Sequence, residues 1–201
     1  MAGSFPERIY VSDREAKHFK NWLNGLRLKK PVILELGIGT GDFLLNQARC
    51  NPDYFFLGVE VKKDRIYKAF KKTQDEGVEN ICFLQTTVQK LLEYKIPKVE
   101  RIYLFFPDPW PKDRHYKRRM VHNDFLAIYK QILKSSGEFI FKTDHENLFE
   151  YAKKSFPESG WKLIDVKGEY NSPLAEQTAY EKKFLAAGKS ICFLKANTTS
   201  L

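Results

Sequence analysis

From residue 32 onward the chain alternates short apolar runs with segments of helical periodicity, and this alternation constrains the fold more than any other feature. The seven apolar runs, each predicted to be a strand, cover 32–37, 54–61, 81–86, 101–107, 137–144, 161–170 and 190–196. Helices are predicted near 41–50, 64–75, 88–94, 123–134 and 146–156. The first runs are apolar on both faces, as in strands that helices cover on both sides. The pattern predicts a Rossmann-like, doubly wound α/β fold with a mostly parallel, seven-stranded sheet.

The positive charge of the chain is unevenly distributed, and a large share of the excess lies in the first 30 residues. The 201 residues carry 34 Lys and Arg against 25 Asp and Glu, a net charge of +9, and residues 1–30 hold 7 of the basic groups and 3 of the acidic ones. We therefore expect 1–30 to form a basic arm, with a helix near 13–24, and 31–201 to form a single domain. Residues 171–189 lack periodicity, which predicts a long loop.

Several classes of protein are disfavoured by what the chain lacks. No apolar run is long enough to cross a membrane, and the first residues do not form a signal peptide, so we expect a cytoplasmic protein. The three cysteines and four histidines show no metal-ligand spacing, so no bound metal is expected.

A glycine-rich turn that contains Gly37 and Gly39 follows the first predicted strand. Glycine allows a sharp turn and a close approach to a ligand at the carboxyl end of a strand. Glu60 ends the next predicted strand, where a carboxylate can accept the hydrogen bonds of a ribose diol. The third glycine comes one residue early for a dinucleotide fingerprint, and Glu35 and Asp42 would repel a pyrophosphate. These acids favour the cationic cofactor S-adenosylmethionine over NAD; the alternative is a tight turn without a ligand.

A second informative segment, residues 105–112, contains three prolines. It places Asp108 between two of them and beside Trp110. Proline fixes its own φ and restricts the residue before it, so Asp108 is expected to be held rigidly at the carboxyl edge of the sheet. A rigid acid beside an aromatic ring suits a planar base. The alternative is that Asp108 only starts a turn and that Trp110 packs in the core.

Five cations lie within the eight residues 112–119, more densely than anywhere else in the chain. Such a run is either a solvated loop or a phosphate-binding surface. The candidates for phosphate contacts are Lys112, Arg114, Lys117, Arg118 and Arg119.

These motifs together resemble the bacterial tRNA (guanine-N7-)-methyltransferases, which methylate the variable-loop guanosine (position 46) of tRNA. The resemblance spans about residues 30–196, and it is carried by the segments 35–41, 105–112, 114–119, 141–144 and 178–181. It implies S-adenosylmethionine as cofactor and tRNA as partner, and it leaves open whether the protein is a monomer or a homodimer.

The resemblance also implies a role for each matching residue. The residues that match cofactor contacts are Glu35, Gly37, Gly39, Glu60, Thr87 and Asp108. Asp108 also matches the proposed catalytic acid. Those that match residues assigned to the substrate are Lys112, Asp144, Thr178, Ala179, Tyr180 and Glu181. Thr87 departs from the family pattern, which has an acid or Asn there, but its hydroxyl can still accept from an adenine amino group.

Guanine N7 carries a lone pair and no proton, so methyl transfer to it needs no prior deprotonation and depends on positioning. Asp108 either stabilises the positive charge that develops on the base or accepts from the guanine N1–H and amino group. Two alternatives remain: a methyltransferase that acts on another nucleic acid or an amino group, and an RNA-binding relative without catalysis. The absence of a second proline directly after Pro109 disfavours an amino-group substrate, and the glycine turn with Glu60 and Asp108 disfavours a protein without catalysis.

Overall fold

The computed structural model describes residues 10–12, 30–173 and 177–198. The strands are β1 (Tyr10–Ser12), β2 (Val32–Leu36), β3 (Phe55–Glu60), β4 (Ile81–Gln85), β5 (Val99–Phe105), β6 (Leu133–Thr143), β7 (Trp161–Lys167) and β8 (Cys192–Thr198). The α-helices are α1 (Asp42–Cys50), α2 (Lys63–Asp75), α3 (Asn123–Ile132), α4 (Glu146–Glu158) and α5 (Ala179–Ala186). Short 3-10 helices cover Val88–Lys90 and Asp113–Arg118. The chain forms two compact units, Met1–Pro97 and Lys98–Leu201.

The first unit is a parallel sheet with strand order β1-β4-β3-β2. Every residue of β2 and β3 is buried, as expected for parallel strands covered on both faces. Leu36 pairs with Val59, and Glu60 pairs with Gln85, so the carboxyl ends of β2, β3 and β4 lie along one edge. This edge is where open α/β sheets bind their ligands.

The second unit has strand order β5-β6-β8-β7, in which only the β5–β6 pair is parallel. Its core contains an aromatic cluster in which the Phe139 ring lies 5.1–5.6 Å from the rings of Tyr129, Phe156 and Trp161. Helices α3 and α4 supply Tyr129 and Phe156, so the burial of these rings joins both helices to β6 and β7.

The predicted fold class is confirmed, because all seven predicted strands are present and the sheet is mostly parallel. The predicted short helix near 88–94 is limited to the 3-10 helix Val88–Lys90. Within the predicted basic arm, residues 10–12 form β1, which pairs with β4, whereas the helix predicted near 13–24 lies outside the described residues. The division into arm and domain stays a prediction.

The prediction of a long loop over 171–189 is wrong where α5 forms. The Thr178 hydroxyl caps this helix by accepting a hydrogen bond from the Glu181 backbone N–H at 3.0 Å. A Thr followed three residues later by Glu is a sequence signal for the start of a helix. Pro173 and Gly188 favoured a loop over 171–189, but both lie outside the helix.

Candidate active site

The glycine turn between β2 and α1 depends on three left-handed residues, since Gly37, Gly39 and Gly41 have φ values of 73°, 57° and 76°. A Cβ atom on Gly41 would lie only 2.6 Å from the Ala69 Cβ of α2, so helix packing requires glycine there. A Cβ atom on Gly37 would have no atom of the described residues within 4 Å, so space is open on that side of the turn. A ligand can therefore approach the backbone of the turn at Gly37, whereas Gly41 packs against α2.

Glu35 lies at the carboxyl end of β2 and is buried, with an exposed fraction of 3%. Its Oε2 atom has no hydrogen-bond partner among the described residues. Burial, helped by the negative charges of Asp42 and Glu60, raises the pKa of Glu35 to about 8. A buried acid with an unused oxygen stabilises a cation far better than an anion. These residues therefore fit a cofactor with a sulfonium and an α-amino group, and they do not fit a pyrophosphate.

Glu60, the predicted ribose ligand, is buried and already accepts hydrogen bonds from the protein. Its Oε1 accepts from the N–H groups of Val61 at 2.8 Å and Lys62 at 3.0 Å, and its Oε2 accepts from the Gly39 N–H at 3.1 Å. Arg65 Nη1 lies 3.8 Å from Oε2. A carboxylate has about four accepting positions, so three backbone bonds leave room for about one more donor. Glu60 thus fixes the glycine turn to the start of α2.

Thr87 follows β4 at the same edge of the sheet and is exposed. Its carbonyl oxygen accepts from the Lys90 N–H at 3.1 Å, which starts a 3-10 helix. The first unit thus places Glu35, Gly37, Gly39, Glu60 and Thr87 along one sheet edge.

The proline loop (residues 106–111) follows β5, and its conformation is strained. Phe106 and Trp110 have φ values of 48° and 44°, a region that residues with side chains rarely adopt. The Phe106 N–H donates to the Lys142 carbonyl oxygen at 2.8 Å, and Arg119 donates two hydrogen bonds to the Trp110 carbonyl oxygen at 3.3 and 3.2 Å. Asp108 lies between these two fixed points and is exposed. The loop is held at both ends and presents the Asp108 side chain to solvent.

The cations that follow the proline loop differ in their surroundings. Lys112, Arg114, Lys117 and Arg118 are exposed, and the Arg118 guanidinium lies 5.0 Å from the centre of the Trp110 ring. In contrast, Arg119 is only 7% exposed, and its guanidinium lies 4.7 Å from the centre of the Tyr151 ring. The structure therefore gives Arg119 partners within the protein, whereas the other four side chains face solvent.

Lys142 lies near the end of β6, within the segment 141–144 of the family resemblance, but sequence reasoning assigned it no role. Its ammonium group is buried, 3.1 Å from Glu181 Oε2, within hydrogen-bond distance of the Ser172 hydroxyl, and 4.7 Å from the centre of the Phe105 ring. Glu181 is 0% exposed, and its Oε1 atom has no hydrogen-bond partner among the described residues. The signal that could have found this pair is the position of Lys142 directly after the apolar residues 139–141 of β6, since a buried lysine needs a partner.

Contacts through lysines connect the predicted substrate residues at the end of β6 and the start of α5, whereas no such contact among the described residues includes the exposed Lys112. Asp144 Oδ2 accepts from Lys189 Nζ at 2.7 Å, and Lys189 Nζ also lies 4.8 Å from the centre of the Phe184 ring on α5. Of the four predicted residues at the start of α5, two are buried and two are exposed. The buried ones are Thr178 and Glu181, and the exposed ones are Ala179 and Tyr180. Two lysines thus connect α5 to the end of β6.

Two further findings concern the described residues alone. None of their helices is both long and apolar enough to cross a bilayer. They contain no group of three or more His, Cys, Asp or Glu side chains that could hold a metal ion.

Solved structures with a similar fold are methyltransferases. The 16S rRNA methyltransferase KamB matches with a TM-score of 0.70 and 17% identity, over 96% of both chains. A 16S rRNA (adenine(1408)-N(1))-methyltransferase from Catenulisporales acidiphilia, crystallised with its cosubstrate SAM, matches with a TM-score of 0.69 and 13% identity, over 90% of this chain and 92% of that one. At these identities the likeness shows the fold alone, a doubly wound α/β sheet that this chain shares with methyltransferases.

Sequence relatives narrow this class to a family. The tRNA (guanine-N(7)-)-methyltransferase of Pediococcus pentosaceus is 36% identical over 96% of this chain and 92% of its own length, and that of Bacillus velezensis is 36% identical over 91% and 86%. A family model described as "Putative methyltransferase" matches residues 29–194. The chain belongs to the tRNA (guanine-N7-)-methyltransferase family.

Proposed function

We propose that this protein transfers a methyl group from S-adenosylmethionine to N7 of the variable-loop guanosine at position 46 of tRNA. The observation that carries the proposal is the match to tRNA (guanine-N(7)-)-methyltransferases at 36% identity over 96% of the chain. The similar folds of rRNA methyltransferases, at 13% and 17% identity, support the fold and assign no substrate. A tRNA substrate implies that the protein acts in the cytoplasm. We expect it to act there as a monomer or a homodimer.

The cofactor residues are those at the sheet edge of the first unit, together with Asp108. S-adenosylmethionine, when bound, supplies an electrophilic methyl group on a positively charged sulfur. The unused Oε2 atom of Glu35 supports this assignment, because a cationic ligand would satisfy a buried oxygen that the protein leaves without a hydrogen bond. Gly37 and Gly39 allow the backbone to approach the ligand, Glu60 accepts from a ribose hydroxyl, and Thr87 accepts from the adenine amino group.

Asp108 is the proposed catalytic residue. The guanine base gains positive charge as the new N7–methyl bond forms, and a carboxylate beside it stabilises the transition state more than the ground state. The strained backbone at Phe106 and Trp110 supports this role, because such strain persists where the surrounding structure fixes a side chain for function. No general base is needed, since N7 carries no proton to remove.

The substrate residues lie around the end of β6 and the start of α5. Asp144 and Glu181 can accept hydrogen bonds from the donor groups of guanine. The other residues proposed to bind the substrate are Lys112, Thr178, Ala179 and Tyr180. Arg114, Lys117 and Arg118 are exposed and suit phosphate oxygens, which cationic side chains bind without reading the sequence. We expect Arg119 to contribute by holding Trp110, because its guanidinium already bonds the Trp110 carbonyl oxygen.

The experiment that tests the proposal is incubation of the protein with methyl-labelled S-adenosylmethionine and bulk tRNA, followed by digestion to nucleosides. We expect the label in 7-methylguanosine, and none in a tRNA transcript whose variable-loop guanosine is replaced by adenosine. Unlabelled tRNA, or label in another nucleoside, would contradict the proposal.

A matched pair of variants tests the role of Asp108. Asp108→Asn keeps the size of the side chain and removes its charge, and it should lower kcat about 10²- to 10³-fold. Asp113→Asn removes a nearby exposed carboxylate and should leave kcat within a few-fold of the parent. Equal kcat values for the two variants would remove Asp108 from the mechanism.

A further inference from the structure

Helix α2 carries cations on two different sides. On its inner side, Arg65 Nη1 lies 3.8 Å from Glu60 Oε2, and Lys72 Nζ lies 2.5 Å from Asp42 Oδ1. These two cations are therefore paired with acids of the glycine turn and its surroundings. The apolar side of the helix is buried through Ile66 and Ala69.

The outer side of α2 and the residue before it form a basic face whose side chains pair with no acid among the described residues. We define the basic face as Lys62, Lys63, Tyr67, Lys68 and Lys71, all of which are exposed. Across residues 30–173 and 177–198, no ion pair or side-chain hydrogen bond is found for these four lysines. The first turn of the helix contains one acid, Asp64. The inner cations are used by the fold, whereas the outer ones are available to a partner.

The spacing of the basic face suits an extended polyanion. Lys63, Tyr67 and Lys71 are four residues apart and therefore lie along one side of the helix. The rise of about 1.5 Å per residue separates Lys63 from Lys71 by about 12 Å along the axis. Tyr67 stands between them with 63% of its surface exposed. Ammonium groups that flank an exposed aromatic ring are typical of surfaces that bind nucleic-acid phosphates and stack a base.

The composition of this face favours RNA over a membrane surface. A helix that lies on a membrane inserts a broad apolar face, but here Ile66 and Ala69 are buried against the sheet. Tyr67 is the sole large apolar side chain on the basic face, which leaves almost nothing to insert into lipid.

We propose that the basic face of α2 is a second tRNA-binding surface, which binds backbone phosphates in addition to the exposed cations of residues 112–118. The proposal rests on the proposed function, because tRNA is the polyanion that the enzyme must bind. It also assigns a purpose to an exposed tyrosine and to four lysines whose side chains form no ion pair with any other described residue.

The test is the salt dependence of tRNA binding by three proteins: the wild type, a face variant and a control variant. The face variant is Lys63→Gln/Lys68→Gln/Lys71→Gln. The control variant, Lys98→Gln/Lys154→Gln/Lys162→Gln, removes the same charge from exposed positions elsewhere. Affinity for an unmodified tRNA transcript is measured between 50 and 200 mM KCl, with S-adenosylmethionine affinity and the thermal midpoint as checks on folding.

We expect the face variant to reduce the magnitude of the slope of log K against log salt by about 2, because each lost phosphate contact contributes about 0.7–0.9. The KM for tRNA should rise with little change in kcat, and the control variant should keep the slope of the wild type. Tyr67→Leu should weaken tRNA binding about fivefold or more without changing the slope, since stacking releases no counterions.

A slope for the face variant equal to that of the control variant would overturn the proposal while leaving the proposed function intact. Failure of the wild type to methylate tRNA would instead overturn the proposed function, and the inference with it. Binding of the wild type to vesicles of anionic phospholipid, lost in the face variant while its tRNA slope is unchanged, would identify a membrane surface and also overturn the proposal.

Discussion

The glycine turn of the first unit and the proline loop of the second both follow a buried strand and both contain left-handed residues, but they are held by opposite means. In the turn the left-handed residues are glycines, which adopt this conformation without steric cost. In the loop they are Phe106 and Trp110, each at a cost of about 1–3 kcal/mol. Both also precede a proline, which restricts their backbone further. The turn thus adopts its shape without backbone strain, although Glu60 and α2 also contact it, whereas the strained loop is held by the Lys142 backbone carbonyl and the Arg119 guanidinium.

The two regions also differ in charge. The turn is surrounded by buried or half-buried acids, and one of them, Glu35, leaves an oxygen without a hydrogen bond. The loop is surrounded by cations, of which Lys142 and Arg119 are buried and internally bonded. The turn therefore suits a positively charged donor molecule, and the loop suits an RNA substrate. Four predictions test the contacts and the charges that distinguish the two regions.

The largest effect is expected from Lys142→Met, on the loop side of the comparison. This change leaves the Glu181 carboxylate buried without its cation, and it should lower the free energy of unfolding by about 3–5 kcal/mol in urea titrations. The double variant Lys142→Met/Glu181→Leu removes both charges and should recover most of that loss. A loss of less than about 1 kcal/mol in the single variant would mean that this pair does not hold α5 to β6.

The second prediction compares two glycines within the turn. Gly41→Ala adds a methyl group that would lie 2.6 Å from the Ala69 Cβ atom, and it should lower the free energy of unfolding by about 2–4 kcal/mol. Gly37→Ala has a similar φ but open space around the new methyl group, so about 1–2 kcal/mol is expected. Urea titrations of the two variants measure the packing contribution by difference. Equal losses would show that packing against α2 does not determine the turn.

The difference between the regions explains how much the sequence could predict. The seven strands and the glycine turn follow from periodicity and from residues adjacent in the chain, and the predicted carboxyl-edge position of Glu60 agrees with its pairing to Gln85. The contacts around the loop could not be predicted in the same way. Lys142 and Glu181 are 39 residues apart, and their pairing depends on how α5 packs against β6.

Arg119 illustrates the same limit at shorter range. In the sequence it is one cation in a run of five, and nothing distinguishes it from Arg118. In the structure Arg119 is buried and Arg118 is exposed, because the 3-10 helix that precedes Arg119 turns its side chain toward Trp110 and Tyr151. A charge run identifies a basic segment, but packing decides which of its members face solvent.

The third prediction tests this distinction with two neighbouring arginines. Arg119→Met removes two charge-assisted hydrogen bonds to the Trp110 carbonyl oxygen and should lower the free energy of unfolding by about 1.5–3 kcal/mol. Arg118→Met, at an exposed position, should change stability by about 0.5 kcal/mol or less and should instead weaken tRNA binding. Thermal unfolding and tRNA titration measure the two effects separately. A reversal of the two results would contradict the assignment of Arg119 to the loop.

The smallest expected effect is a pH dependence of the free energy of unfolding, which arises from Glu35 beside the glycine turn. Burial raises the pKa of Glu35 to about 8 in the folded protein, whereas a glutamate in an unfolded chain titrates near about 4.3. The folded state therefore keeps a proton that the unfolded state loses, so the contribution of this group to stability is greatest at acidic pH and is lost as the pH rises toward 8. Glu35→Gln abolishes this titration.

The stability of Glu35→Gln minus that of the wild type should therefore increase with pH, by at most about 1.4 kcal/mol per unit between about pH 6 and pH 8. Because the comparison is a difference between two proteins, titrating groups distant from Glu35 cancel. Urea titrations at three pH values measure it, and a difference that is constant over this range would show that Glu35 does not titrate there. Saturating S-adenosylmethionine should make this stability difference depend less on pH. A cation beside Glu35 lowers the pKa of its carboxyl group, because the cation provides a partner for the ionised form. Without the cofactor, the Oε2 atom of Glu35 has no hydrogen-bond partner among the described residues.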